Sequence, residues 1–335
     1  MIRMKSKLLV FALVLVALLA LPAAASATLA YVKYGHYPFV PKVFTADDDG
    51  FDDIPIGRGT DPEVSPDGSL VAYVSARGKR ERLKVKHVYG GAADLLMDAA
   101  RISSVTWSPE SNRIAAVRTP ARGPEKLVLI DVPSGGGEHV VARGKFGRVS
   151  FSPEGDQLVY SWVRRGRSDV FRFAVGGHGS KRLTYDHRSR APLWGPRGRI
   201  AFLKAVGKKR KPEIFTMRSD GGDVRRLTHT RHADRWRGLY PVDWSPDGSK
   251  LLADYSTRSG EFAVVVYAHS GALGRLIHRK AHFVGTAFSC DGSLVLGSSG
   301  PRGALANHKV GMVPVAGGTM QPLAEFAYDP DLGGC

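Results

Sequence analysis

The stretch "VDWSPDGSKLLADY", residues 242–255, decides the fold. Two apolar runs flank Ser245-Pro246-Asp247-Gly248. Pro presets φ for the first central position of a tight turn, and Gly supplies the position where φ turns positive. The same shape recurs as "PEVSPDGSLVAYVS" from Pro62, "VTWSPESNRIAAVR" from Val105, "VSFSPEGDQLVYSW" from Val149, "PLWGPRGRIAFLK" from Pro192 and "TAFSCDGSLVLGSS" from Thr286. Ser65, Ser108, Ser152, Gly195, Ser245 and Ser289 mark the copies, at spacings of 43, 44, 43, 50 and 44 residues. Periods of that length belong to arrays of supersecondary units.

Each copy reads as four strands. A first run ends at the turn, and an aliphatic or aromatic second run follows it. A polar loop leads to a third strand ("KLVLIDV", "DVFRFAV", "EFAVVVYA"), and in most copies a Gly-rich turn leads to a fourth ("EHVVAR", "KRLTYD", "VRRLTHT"). The pattern predicts an all-β chain: a six-bladed β-propeller of four-stranded antiparallel blades in one domain, with blades near 59–101, 102–146, 147–188, 189–238, 239–281 and 282–327. Trp107, Phe151, Trp194, Trp244 and Phe288 sit two residues before the turn Pro or its Cys290 replacement, so they are assigned to packing between blades. Asp67, Asp247 and Asp291 are turn formers.

These residues also resemble the repeat of TolB-type six-bladed propellers, "xxWSPDGxxIAFxS…DGGxxxRLT". The run Glu213–Thr228 followed by Pro241–Tyr255 carries the likeness best, and it extends over roughly 59–327. The resemblance implies the fold and says little about activity. Full TolB proteins carry a separate α/β domain ahead of the propeller, and no segment of that size precedes it here.

The N-terminus reads as an export signal. Arg3, Lys5 and Lys7 precede the apolar run Leu8–Leu21, and Ala25-Ser26-Ala27 fits a small-residue cleavage site. The expected organisation is a signal peptide over 1–27, an N-terminal segment over 28–58 that adds a ring-closing strand, the propeller over 59–327 and a tail over 328–335. The protein is then periplasmic, envelope-associated or secreted, which permits a disulfide between its two cysteines, Cys290 and Cys335.

The formal net charge is +17. In an up-and-down blade the loops between second and third strands share one face with the connections between blades. Loops such as "ARGKRER", "RRGRSD" and "KAVGKKRKPE" and connections such as "THTRHADRWRG" place more positive charge there than the chain carries net. Such a face attracts polyanions in a salt-dependent way. The expected partner is an acidic glycan, an anionic wall polymer or an acidic protein; no nucleic-acid motif accompanies the charge, and a monomer is expected. Arg188, Arg190, Arg231, Arg235 and Arg237 are the candidates for direct contact, with Lys208, Lys209, Arg210 and Lys211 attracting from the rim.

Two further constellations call for a test. His187, His229, His232, His278 and His282 lie on successive connections of that face and could meet a divalent metal, an arrangement that resembles propeller lyases acting on oligogalacturonate. Asp47, Asp49 and Asp53 in "TADDDGFDD" resemble a short calcium loop. A second reading of the same segment makes "KVFTADDDG" a third strand with its turn and "DDIPIG" a fourth. No cofactor is otherwise expected. A Gly-x-Ser-x-Gly nucleophile elbow is missing, which speaks against a serine peptidase.

Overall fold

The computed structural model describes residues 27–34, 40–47, 49–50, 52–132, 137–208, 210–229, 236–257, 261–268, 270–275, 282–301 and 307–334, with backbone only at 236–238, 256–257, 261–262 and 273–275. The described residues form strands and turns and contain no α-helix.

Each of the six repeats becomes a four-stranded antiparallel sheet whose strands run outward from the centre in chain order. The inner strands are Thr60–Val64, Arg101–Trp107, the second half of Glu138–Phe151, Ser189–Trp194, Trp236–Trp244 and Phe283–Phe288. The turn behaves as its sequence requires. Gly68 N–H donates to Ser65 O at 2.8 Å, and the Ser65 hydroxyl accepts from Leu70 N–H at 2.9 Å. Gly68, Gly155, Gly198, Gly248 and Gly292 all take φ between 66° and 73°, and in the "SPESN" copy Ser111 takes φ 57° in the glycine's place. The five aromatics ahead of the turns are buried as expected. Trp107 donates its indole N–H to Glu63 O in the preceding blade at 2.9 Å.

A seventh sheet corrects the expected count of six. Ala327–Gly333 is its inner strand, followed outward by Thr28–Tyr34, Pro41–Asp47 and Ile54–Arg58. The N-terminal segment thus supplies three strands, not one, and the expected tail is a strand at the centre of the molecule. The repeat pattern could not reveal this sheet. Where the other six have a tight turn between first and second strands, the first strand of this one comes from the C-terminal region and the second begins at Thr28, with Gly334 beside Ala27 and Thr28.

Inner strands touch in succession all the way round, and Ala327–Gly333 meets Thr60–Val64 to shut the ring. The apolar core is divided the same way. Seven clusters of buried residues each lie between two consecutive blades, because alternate residues of a strand face opposite neighbours. In Glu125–Asp131, Leu127 and Leu129 pack toward the following blade while Val128 and Ile130 pack toward the preceding one. Carboxylates fasten the seams as well: Glu81 accepts from Ile102 N–H at 2.6 Å, Glu125 from Phe146 N–H at 2.9 Å and Asp243 from Phe288 N–H at 2.9 Å. Bonds of this kind to an ionised acceptor are about twice as strong as neutral ones.

One junction has no connection at all. Glu138–Phe151 is a single strand of 14 residues. Its first half pairs with Glu125–Asp131 as the outer strand of one blade, and from Lys145 it pairs with Gln157–Arg164 as the inner strand of the next.

Cys290 is disulfide-bonded and no described cysteine is free. The only other cysteine of the sequence, Cys335, lies outside the described residues.

Candidate functional site

A compact group of basic residues lies on the second and third strands of the third repeat, Gln157–Arg164 and Arg167–Ala174. Arg164 faces Arg167 across a two-residue turn in which Arg165 (φ 49°) and Gly166 (φ 74°) both have positive φ. That is the geometry whose twist matches a right-handed hairpin. It places three arginines on one tip. The Arg164 guanidinium lies 4.1 Å from the centre of the Trp162 ring, and Trp162 meets Phe171 edge-on at 5.2 Å. Stacking of this kind fixes the plane of the guanidinium and leaves its N–H edge free.

Beneath the tip, Asp169 is almost fully buried and collects four donors: Arg182 Nη2 at 2.6 Å, His187 Nδ1 at 2.9 Å, His187 N–H at 2.9 Å and the Thr184 hydroxyl at 3.3 Å. Trp162, Arg164, Arg165, Arg167, Asp169, Phe171, Arg182 and His187 enclose a hollow of about 420 Å³. Part of this is architecture. In the next blade Glu213 accepts from Arg226 Nη2 at 3.0 Å and from the Thr228 hydroxyl at 2.5 Å, with the same residue offsets. In these two blades the "RLT" of the repeat therefore serves to pin a buried acid near the start of the third strand. What the first of these sites adds is the arginine tip, Trp162 and His187.

Arg188 and Arg190 are exposed beside the hollow, and Arg190 lies over the Tyr240 ring at 5.9 Å. Lys208 and Arg210 are exposed, and Lys211 is half-buried at the start of its strand. Lys209, Arg231 and Arg235, and the side chain of Arg237, lie outside the described residues.

His187 Nδ1 donates to Asp169, His229 is exposed, and His232 and His278 lie outside the described residues. Among the described residues no three potential metal ligands come together, His282 included. The acidic loop follows its second reading: Pro41–Asp47 is a third strand and Ile54–Arg58 a fourth, and Asp53 turns back to Tyr31 and Lys33 instead of joining Asp47 and Asp49 in a calcium cage.

Sequence reasoning missed the bore. Glu63, Asp243, Asp329 and Asp331 sit on inner strands, enclosed by protein but with surface left on the central channel. Burial pushes the carboxyls of Asp243 and Asp329 up to about 6, and Asp61 adds to the rise at Asp329. Burial, then Asp331 and Asp329, raises Glu63 well above the usual carboxylate range. Arg148 lies among them, both terminal nitrogens donating to backbone carbonyls, Pro241 O and Val242 O. The signal was present: Asp61-Pro62-Glu63 and Asp329-Pro330-Asp331 are the same Asp-Pro-acid motif on two inner strands.

Comparison with known proteins agrees with this architecture. The TolB beta propeller domain matches residues 20–239. An "Uncharacterized peptidase YuxL" of Bacillus subtilis is 28% identical over 118 residues, 33% of this chain, and the match spans only 17% of that protein's length. Among solved structures, the β-propeller domain of the trilobed protease from Pyrococcus furiosus superimposes with a TM-score of 0.69 at 16% identity, covering 90% of this chain and 97% of that one. TolB from Acinetobacter baumannii gives 0.60 at 17% identity, covering 90% and 81%. An oligogalacturonate lyase in complex with manganese gives 0.62 at 15% identity, covering 90% and 86%. Identities this low establish the shared fold alone. With the family match covering well over half its length, the chain belongs to the TolB beta propeller domain family.

Proposed function

We propose that this propeller is an exported, non-catalytic binding module that takes an anionic partner on its arginine-bearing face. The observation that carries the reading is the hollow of about 420 Å³ walled by Arg164, Arg165, Arg167 and Arg182. Three of these guanidinium groups ride on one hairpin tip, and Arg164 is held against the Trp162 ring, which limits the side-chain freedom it loses on binding. Each planar fork matches a carboxylate or phosphate bidentately. The position differs from the channel mouth that the sequence pointed to. The bore is lined by the carboxyl groups of Glu63, Asp243, Asp329 and Asp331, which offer an anion no attraction. The contact moves outward to the rim, with Arg188, Arg190, Lys208 and Arg210 extending it.

The partner class is an acidic glycan, an anionic wall polymer or an acidic protein, bound by a monomer. A metal-dependent lyase is the alternative, and it has only the shared fold behind it.

The test is binding of the full-length chain to a panel of anionic polysaccharides and wall polymers at low and moderate salt. Arg164→Ala/Arg165→Ala/Arg167→Ala runs beside it, with metal analysis of the same preparation. Selective binding that survives moderate salt and falls at least about tenfold in the triple variant supports the reading, since one charge-assisted contact is worth about 1.5–3 kcal/mol. Equal binding by the variant removes the hollow from consideration. Stoichiometric metal with cleavage of the ligand replaces this reading with the lyase.

A further inference from the structure

We propose that closure of the ring is proton-linked: the seam between Ala327–Gly333 and Thr60–Val64 tightens as its carboxyl groups take up protons and loosens as they ionise. Two of those acids bond the strand that shuts the ring directly to its neighbour. Asp331 accepts from Val64 N–H at 2.6 Å and Asp329 from Asp61 N–H at 3.2 Å. The same two blades are also joined by Gly334 N–H to Pro66 O at 3.0 Å, the Thr28 hydroxyl to Gly68 O at 3.0 Å, the Thr45 hydroxyl to Val88 O at 2.6 Å, Lys86 Nζ to Ile56 O at 2.8 Å and an apolar cluster that includes Val32, Val43, Val64 and Val71.

The two Asp-Pro-acid motifs meet face to face here. Asp61 and Asp329 both hold left-handed conformations (φ 51° and 53°) where the pairing of their strands slips. Bulges of this kind re-aim side chains, and four carboxyls, Asp61, Glu63, Asp329 and Asp331, gather at one seam. The groups facing them are few. From the blade across the bore come Asp243 and Asp254, and from the strand containing Val149 comes Arg148, the cation that acts on Glu63 and Asp243. Tyr34 and Tyr328 stack beside Asp329 at 5.2 Å. The inner strand Phe283–Phe288 has no charged residue. Arg101 borders a cavity of about 350 Å³ that Asp61, Glu63 and Glu81 also line, which gives water and protons a route to the seam.

Negative charge thus outnumbers positive in a confined space where repulsion is poorly screened. Burial and mutual repulsion hold Asp329, Asp331 and Glu63 protonated above the range they have in the unfolded chain. The folded ring then binds protons more tightly than the unfolded chain. The stability these groups contribute is fully present below about pH 4 and is lost as pH climbs through about 7.

Thermal unfolding of the full-length chain from pH 5 to 8 at constant ionic strength tests this. The midpoint is expected to fall by an amount on the order of 5 °C. Glu63→Gln removes a charge and, among the described residues, no side-chain hydrogen bond. It is expected to unfold at a higher temperature than wild type at pH 8 and with a shallower pH slope. Amide exchange locates the effect: corrected for intrinsic rates, protection of the Asp61 and Val64 amides should drop about tenfold between pH 5.5 and 7.5, while that of Ile102, at a different seam, holds. A midpoint that is flat or rises over pH 5–8, or a Glu63→Gln slope parallel to wild type, overturns the proposal. If the variant does not fold, the wild-type exchange at Asp61 and Val64 decides alone.

Discussion

At the scale of single residues, the buried acid pinned by Arg and Thr shows what the repeat conserves between its own copies. Glu213 is 1% exposed, and Thr228 both donates to it and accepts from Ile214 N–H at 2.9 Å. Thr228→Val keeps the shape but deserts a buried charge and a buried amide. A loss of about 2–3 kcal/mol in urea unfolding is expected. Asp291 shows the opposite balance to the bore. The Ser289 and Ser293 hydroxyls and Ser293 N–H hold its carboxyl at about 2. A depressed carboxyl supports the fold above pH 4 and ceases to do so as pH falls through 2. In Asp291→Asn the drop in melting temperature between pH 4 and 2 should be visibly smaller than in wild type.

At the scale of strands and turns, close approach does what side chains cannot. Gly297 lies in Leu294–Ser299, where an added Cβ would strike Val284 O and the Phe283 ring. Gly297→Ala is therefore expected to lower stability by about 1–3 kcal/mol, read as a shift of the urea midpoint with unchanged slope. Strands of this sort were largely legible beforehand, because a period-2 apolar pattern and a Ser-Pro-Asp-Gly turn are local signals. The closing sheet was not. Its inner strand and second strand come from opposite ends of the sequence, so no turn marks the pair. The third and fourth strands of that sheet, Pro41–Asp47 and Ile54–Arg58, were readable because they form an ordinary hairpin. The arginine tip was visible as "RRGR" but not ranked above other basic loops, since only the structure shows Trp162 beneath Arg164. The bore acids escaped because each looks like an isolated charge until the ring brings seven inner strands to one axis.

At the scale of the whole molecule, stability rests on keeping the ring shut. Cys290 is disulfide-bonded, and a bridge from it to Cys335, the sequence's other cysteine, would close a loop that spans the last blade and the closing strand. In the chain-entropy estimate such a cross-link contributes about 4 kcal/mol. Reduction should lower the urea midpoint accordingly, and Cys290→Ala should match the reduced wild type and be insensitive to reductant. The strand Glu138–Phe151 carries a different lesson about where this ring can be cut. At Gly59, Ala100 and Phe326 a single residue separates two ladders, so new chain ends introduced there would leave both sheets intact. At Gly144 there is no connection to open: a nick severs the outer rung of one blade and the inner rung of the next in a single stroke. A circularly rearranged gene that begins at Gly144 should yield no soluble product, whereas one that begins at Ala100, between Gly90–Ala99 and Arg101–Trp107, should fold.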